Sequence, residues 1–230
     1  MNLWTHVRKL NRFELLLWLS SLLVITISFL LSGSNLLILT ASLIGVTALI
    51  FLAKGLPIGQ VLTILFSILY GIVSYQFRYY GEMITYLGIT LPSAFYTLVI
   101  WLKHPYEKSG GEVKIARLNK KSIVITIIVS TLITILFYFI LEYLQTPNLI
   151  ISTISIFTSM FAAILMMYRV PYYALAYAIN DIILIILWVL ASISSISYIP
   201  MVICFMIFLV NDLYAFIDWS KRRKIQNVKI

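Results

Sequence analysis

Long apolar runs, broken by short polar or turn-forming segments, order this chain. The runs cover about 13–31, 35–53, 57–77, 83–101, 122–144, 148–168, 172–192 and 198–217. Each is near the roughly 20 residues that carry a helix across a bilayer. The breaks have recognisable chemistry: a Ser-Gly-Ser-Asn turn ending at Asn35, Lys54-Gly55-Leu56-Pro57, and Arg78-Tyr79-Tyr80-Gly81-Glu82. A polar loop at 102–121, Gln145-Thr146-Pro147 and Arg169-Val170-Pro171 complete the set. The pattern predicts an all-α polytopic membrane protein with eight transmembrane helices.

Composition removes the soluble alternative. Hydrophobic residues make up 62% of the 230, against roughly 45–50% in soluble domains, and charged residues only 11%. A soluble protein could not solvate its surface with so few charges. The first run follows a basic start, as a signal peptide would, but it is long and lacks a small-residue cleavage site, so it reads as a retained helix.

The net charge of +9 then reports topology rather than nucleic acid, since no basic patch interleaved with aromatics lies outside the apolar runs. With both termini placed in the cytoplasm, sixteen of the seventeen Lys and Arg fall in inside segments, and Arg78 alone falls outside. That is the sorting expected of the positive-inside rule. The expected location is the cell membrane.

Parts of the chain recur. Asn35-Leu-Leu-Ile opens the second run and Asn148-Leu-Ile-Ile the sixth; Pro57 starts the third and Pro171 the seventh. Tyr96-x4-Trp101-x-Lys103 ends the fourth and Tyr214-x4-Trp219-x-Lys221 the eighth. Two three-helix units of the same orientation, joined by one helix, account for the offset of about 113–118 residues. The layout expected is one added N-terminal helix and a 3+1+3 parallel-repeat core. Its units are an N-terminal tail and helix (1–34), a first repeat (35–101), a loop and linker helix (102–147), a second repeat (148–219) and a basic tail (220–230).

Polar side chains inside the runs are the candidate site. A carboxylate or amide in hydrocarbon is expensive and normally faces the bundle interior or a wet cavity. On helix seven, Tyr173, Tyr177 and Asn180 share a face at i, i+4 and i+7, with Asp181 adjoining and Trp188 on roughly the same side. Such a face suits a flat heteroaromatic ring, the tyrosines stacking and the amide pairing with its edge. On helix eight, Asn211 and Tyr214 lie three residues apart and suit sugar hydroxyls. Asp212 points about 100° away and suits a helix–helix contact, while Asp218 and Trp219 suit the membrane edge. Gln60 and Gln76 are the amides of helix three, Gln60 being as well explained by solvation near the surface. Arg78 and Glu82 read as an i,i+4 ion pair. Pro57 and Pro171 mark expected hinges.

Other classes leave no trace. There is no phosphate-binding Gly-rich loop with Lys-Ser/Thr, no His-Glu-x-x-His and no Gly-x-Ser-x-Gly. His6 and His104 sit in basic segments without a ligand role, and Cys204 is a single cysteine in an apolar run. No enzyme activity, cofactor or metal is expected.

At these residues the sequence resembles the PnuC family of nicotinamide riboside and vitamin transporters. The resemblance covers about residues 35–221 and rests on the helix layout, Lys54-Gly-Leu56, Tyr79-Tyr-Gly-Glu82 and Asn211-x2-Tyr214-x4-Trp219-x-Lys221. The family's binding helix shows Trp-x2-Trp-x3-Asn; Tyr173, Ala176 and Asn180 stand in those places here. The resemblance implies a fold similar to the SWEET sugar transporters. It also implies facilitated diffusion of a nucleoside-like vitamin precursor, trapped afterwards by a cytosolic kinase. Nicotinamide riboside is the first expectation and a deoxynucleoside the second. Proton-coupled uptake through Asp181, Asp212 or Glu82 is one rival; a substrate-binding subunit of an ATP-driven importer and a non-transporting receptor or scaffold are others. The partners expected are the solute and the lipid bilayer, with a homo-oligomer compatible with either reading. The mechanism expected is rocking of the two repeats about a site at mid-membrane depth.

Overall fold

The computed structural model of the chain describes residues 7, 9–32, 35–76, 78–107 and 111–226. His6, Arg8, Lys108, and Gly33 and Ser34 of the first expected turn lie outside the described residues. Among the described residues, eight long helices follow in order: α1 Arg12–Ser32, α2 Leu36–Ala53, α3 Ile58–Gln76, α4 Tyr80–Lys103, α5 Lys120–Tyr143, α6 Leu149–Met167, α7 Tyr172–Ser194 and α8 Ile199–Ile225. All eight are long and apolar enough to cross a membrane. The sequence breaks locate their ends to within a few residues, except that α8 runs on through the basic stretch Lys221–Lys224 to Ile225.

Local chemistry explains the stops. After α2, Gly55 takes a left-handed backbone (φ 66°), and the N–H groups of Gly55 and Leu56 bond the Leu52 and Phe51 carbonyls. After α6, Arg169 does the same (φ 58°), with Arg169 and Val170 bonding Met166 and Leu165. This is the reversal that satisfies the orphan carbonyls at a helix C-terminus. Pro57 and Pro171 come next, at the start of a helix, where a missing N–H costs nothing. In α4 a π-helical stretch, Thr85–Thr90, precedes Pro92, and the Leu91 N–H reaches back five residues to Tyr86. Such widened turns are frequent at functional sites.

Six helices close a ring. α2, α3 and α4 pack in succession, as do α6, α7 and α8; α4 then meets α6 and α8 meets α2. α1 lies outside the ring against α2 and α8, and α5 lies outside it against α6. Both turn exposed aliphatic faces outward, such as Leu16, Leu23 and Leu30 on α1 and Leu132 and Leu136 on α5. Lipid is the natural solvent of such faces.

The segment before α5 straps the basic end of the bundle. Its Val113 N–H bonds Gly55 O at 2.9 Å and its Ala116 N–H bonds Arg169 O at 3.0 Å, so it spans both left-handed turns. The Gln226 side chain clamps it by accepting from the Ile115 N–H (2.8 Å) and donating to Val113 O (3.4 Å). Val113 and Ile115 are buried in one cluster with Trp101 and Trp219.

One ion pair expected from sequence does not form. Arg78 is exposed at the end of α3, whereas Glu82 turns inward, is buried, and accepts from Ser155 Oγ at 3.1 Å. Glu82 opens α4, and its side chain follows the buried face of that helix rather than the exposed turn before it.

Gly59 carries the close approach of α3 to α2. A Cβ there would lie 2.8 Å from the Leu52 backbone nitrogen, which cannot move without unwinding the end of α2. Gly59→Ala should therefore destabilise the protein by about 1–3 kcal/mol, in the range of overpacked cores, seen as a lower melting temperature in detergent. An unchanged melting temperature would show that the α2–α3 contact yields.

Candidate functional site

All six ring helices send side chains into one central cavity. α2 supplies a small floor and wall with Gly45, Ala48 and Leu52, and α3 supplies Gln60, Thr63 and Phe66. α4 contributes Tyr86 from its π-helical stretch, then Thr90, Ser93 and Thr97 at helical spacing. α6 gives Ser159 and Met166, α7 gives Tyr177, Asn180 and Asp181, and α8 gives Phe208 and Asp212. None of the described lining residues is Lys, Arg or His. The space is narrow: about 60 Å³ takes the centre of a water molecule, so the walls must part to admit anything the size of a nucleoside.

Both ends are sealed by aromatic side chains. At the basic end, Trp219 Nε1 donates to Leu52 O at 3.0 Å and Tyr173 Oη to the same carbonyl at 3.2 Å. Trp101 Nε1 donates to Met166 O at 3.4 Å, and the two tryptophan rings lie 5.5 Å apart. The bonds are reciprocal, the last helix of each three-helix group holding the first helix of the other. At the opposite end, Trp188 Nε1 donates to Tyr70 Oη at 2.8 Å, and Tyr79 and Tyr198 pack on Trp188 at 5.0 and 5.8 Å.

Within the cavity wall, Asn180 is fixed from α6. The hydroxyls of Thr158 (2.7 Å) and Ser159 (3.0 Å) donate to its Oδ1. Gln60 donates from Nε2 to Met166 Sδ at 2.9 Å, and its buried Oε1 has no partner. Asp181 and Asp212 come within hydrogen-bond reach of each other across α7 and α8. Both are buried.

The residues singled out from sequence divide accordingly. Tyr177, Asn180, Asp181 and Gln60 line the cavity. Tyr173 does not; its hydroxyl is engaged by Leu52 and its ring stands edge-on to Trp219 at 4.9 Å, in the seal beneath. Trp188 lies eight residues beyond Asn180, about 12 Å along the helix, and belongs to the opposite seal. Asn211 is buried, but its Nδ2 turns back to Ile207 O at 2.9 Å and it lies off the cavity. Tyr214 faces α1, where its hydroxyl donates to Glu14 Oε1 at 2.8 Å. Gln76 is exposed at the end of α3, and Pro57 and Pro171 sit in the turns at the basic end. Trp219, read as a membrane-edge residue, is fully buried in the seal.

Sequence reasoning passed over Phe66, Tyr86, Phe208 and the Thr90/Ser93/Thr97 stripe. The stripe carried a signal: three hydroxyls at i, i+3 and i+7 in an apolar run mark an interior face. The rings carried none that sets them apart from lipid-facing aromatics.

The family described as Nicotinamide mononucleotide transporter matches residues 35–221, from the cap of α2 into the basic end of α8. The chain belongs to that family. It is a multi-pass membrane transporter, and α1 precedes the matched region. Among its relatives, the nicotinamide riboside transporter PnuC of Neisseria mucosa is 25% identical over 222 residues, which cover 95% of this chain and 82% of that one. The nicotinamide riboside transporter PnuC of Haemophilus influenzae is 25% identical over 212 residues, covering 91% of each. The fold is that of a solved vitamin B3 transporter, PnuC, with a TM-score of 0.83, 24% identity and 94% of each chain covered. The Nicotinamide mononucleotide transporter match takes in every cavity-lining residue named above.

Proposed function

We propose that this transporter lets nicotinamide riboside equilibrate across the cell membrane, with a cytosolic kinase trapping it by phosphorylation. The observation that carries the reading is the cavity: Phe66, Tyr86, Tyr177 and Phe208 around the Asn180 amide and the Asp181–Asp212 pair, with no basic side chain among the described lining residues. Nicotinamide riboside presents a flat pyridinium bearing a carboxamide and a ribose. Aromatic faces and acids attract a flat cation, and an amide can pair with a carboxamide. The names of the two relatives support the same solute.

Binding is assigned to Tyr177, Asn180, Asp181 and Gln60, with the hydroxyl stripe of α4 meeting the ribose. The mechanism is rocking of two repeats, residues 35–101 and 148–219, about this cavity. The matched turns at Gly55 and Arg169 and the reciprocal Trp101 and Trp219 bonds support that symmetry. The seals then act as the two gates, and the placement of Lys and Arg supports both termini in the cytoplasm. A deoxynucleoside is the second reading, favoured by Tyr173 and Ala176 standing in the places where the resemblance implies tryptophan. Being neutral, it gains no charge–charge attraction from the acid pair.

Purified protein in liposomes, without ATP or an imposed ion gradient, should admit labelled nicotinamide riboside until inside and outside concentrations match. Unlabelled thymidine should compete poorly. No entry above protein-free liposomes would overturn the reading, and strong competition by thymidine with weak self-competition would turn it to the deoxynucleoside.

A further inference from the structure

Asp181 and Asp212 lie near the middle of α7 and α8, and they are the acids of the cavity wall. They are 3% and 4% exposed, and their carboxyl groups meet within hydrogen-bond reach. Asp181 Oδ2 is buried without a partner. Gln60, from α3, is fully buried on the same cavity, and its Oε1 is a further acceptor without a partner. The cavity thus offers acceptors in excess and ring faces beside them, and waits for a group that is electron-poor.

Among the described residues, the lining of the cavity offers no cation. The titratable groups facing the pair are Tyr173 and Tyr177 on α7, Tyr86 on α4 and Cys204 on α8, with Glu82 beyond Tyr86. α2, α3 and α6 present amides, hydroxyls and apolar groups. At the nearer end Lys54 is held by Glu14 at 3.0 Å and Arg222 by Asp218 and Glu112, and neither these nor Arg169 lines the cavity. Two carboxylates in contact cannot both ionise, and a buried charge without a partner neutralises itself by taking up a proton. A ring with a fixed positive charge changes this, because it brings the missing countercharge and cannot shed it.

We propose that the empty Asp181–Asp212 pair is protonated, and that it exchanges one proton for the fixed positive charge of the bound solute. The carboxyl O–H breaks, the carboxylate stays facing the cation, and the proton passes to water in the opened cavity and on to the buffer. The pair is thereby the element that selects a cationic ring over a neutral one of the same shape. This rests on the solute reading above, and the test separates the two.

Calorimetry on the purified wild-type chain would use nicotinamide riboside, its uncharged dihydro form and 1-methylnicotinamide as a bare pyridinium probe. Each would be run in phosphate and in Tris, whose ionisation enthalpies differ. For nicotinamide riboside the apparent heat should differ between buffers by one proton's worth, and affinity should rise about tenfold per pH unit over the range in which the pair is protonated. The dihydro form should show neither effect, and replacing both acids, Asp181→Asn together with Asp212→Asn, should abolish both for the cation. Should that variant fail to fold, the wild-type buffer comparison decides alone. Nicotinamide riboside binding with equal heats in both buffers and a flat pH profile would overturn the exchange and leave the solute reading intact. Binding and proton release by 1-methylnicotinamide, with none by nicotinamide riboside, would keep the exchange and sink the solute. Failure of both cations to bind would overturn both.

Discussion

Asn180→Ala should leave a folded protein in the membrane that has lost most of its affinity for solute. The amide is the polar group of α7 that faces the cavity with its carbonyl already held, by Thr158 and Ser159. Removing it strips the solute of a directed partner in a space with little water to replace it, a loss of about 1–3 kcal/mol, roughly five- to 150-fold. Stability should change less, because the Thr158 hydroxyl also lies 3.1 Å from the Ile154 and Ser155 carbonyls and can turn to them. Calorimetric affinity together with elution from a sizing column would separate the two effects. Unchanged affinity in a well-folded variant would move the site to another face of α7.

The fold was legible because each transmembrane helix announces itself by length and apolarity, and each break by Gly, Pro or charge. Even the left-handed turn after α2 could be anticipated from Lys54-Gly55-Leu56-Pro57. The candidate site was legible only where a single helix decides which residues reach the cavity. Tyr177 and Asn180 lie three residues apart and reach the cavity together. Asp212 was read as a helix–helix contact from its angle to Asn211, and it does meet a neighbouring helix at Asp181. What a helical wheel could not say is that α7 and α8 bring that contact to the cavity wall, since the angle is measured within one helix and the cavity is made by six. Trp188 shows the other limit. A wheel projects along the axis, so two residues about 12 Å apart in depth fall on one spot, one in the cavity and one in a seal.

Tyr214 shows a third limit, the partner that arrives from far away in sequence, and it leads to the second large effect. Lys54→Met should destabilise the protein by about 3–5 kcal/mol, the usual consequence of stripping one member from a buried ion pair. Glu14 is fully buried although it lies on the outermost helix. Asn11 and Glu14 cap α1 reciprocally, Asn11 Oδ1 accepting from the Glu14 N–H at 2.9 Å and Glu14 Oε2 from the Asn11 N–H at 2.7 Å. The other carboxylate oxygen takes Lys54 Nζ at 3.0 Å and Tyr214 Oη at 2.8 Å. One carboxylate thereby ties α1 to the end of α2 and to α8, beside the turn that carries Gly55. Without Lys54 its charge is buried against a phenol and a backbone amide alone. Glu14→Gln combined with Lys54→Met removes both charges and should recover most of the loss in melting temperature, while Tyr214→Phe should lower stability modestly and leave solute affinity unchanged. A double variant as unstable as Lys54→Met alone would show that packing of Lys54, not its charge, holds this corner together. A fall in affinity for Tyr214→Phe would return that hydroxyl to the solute, as its spacing from Asn211 first suggested.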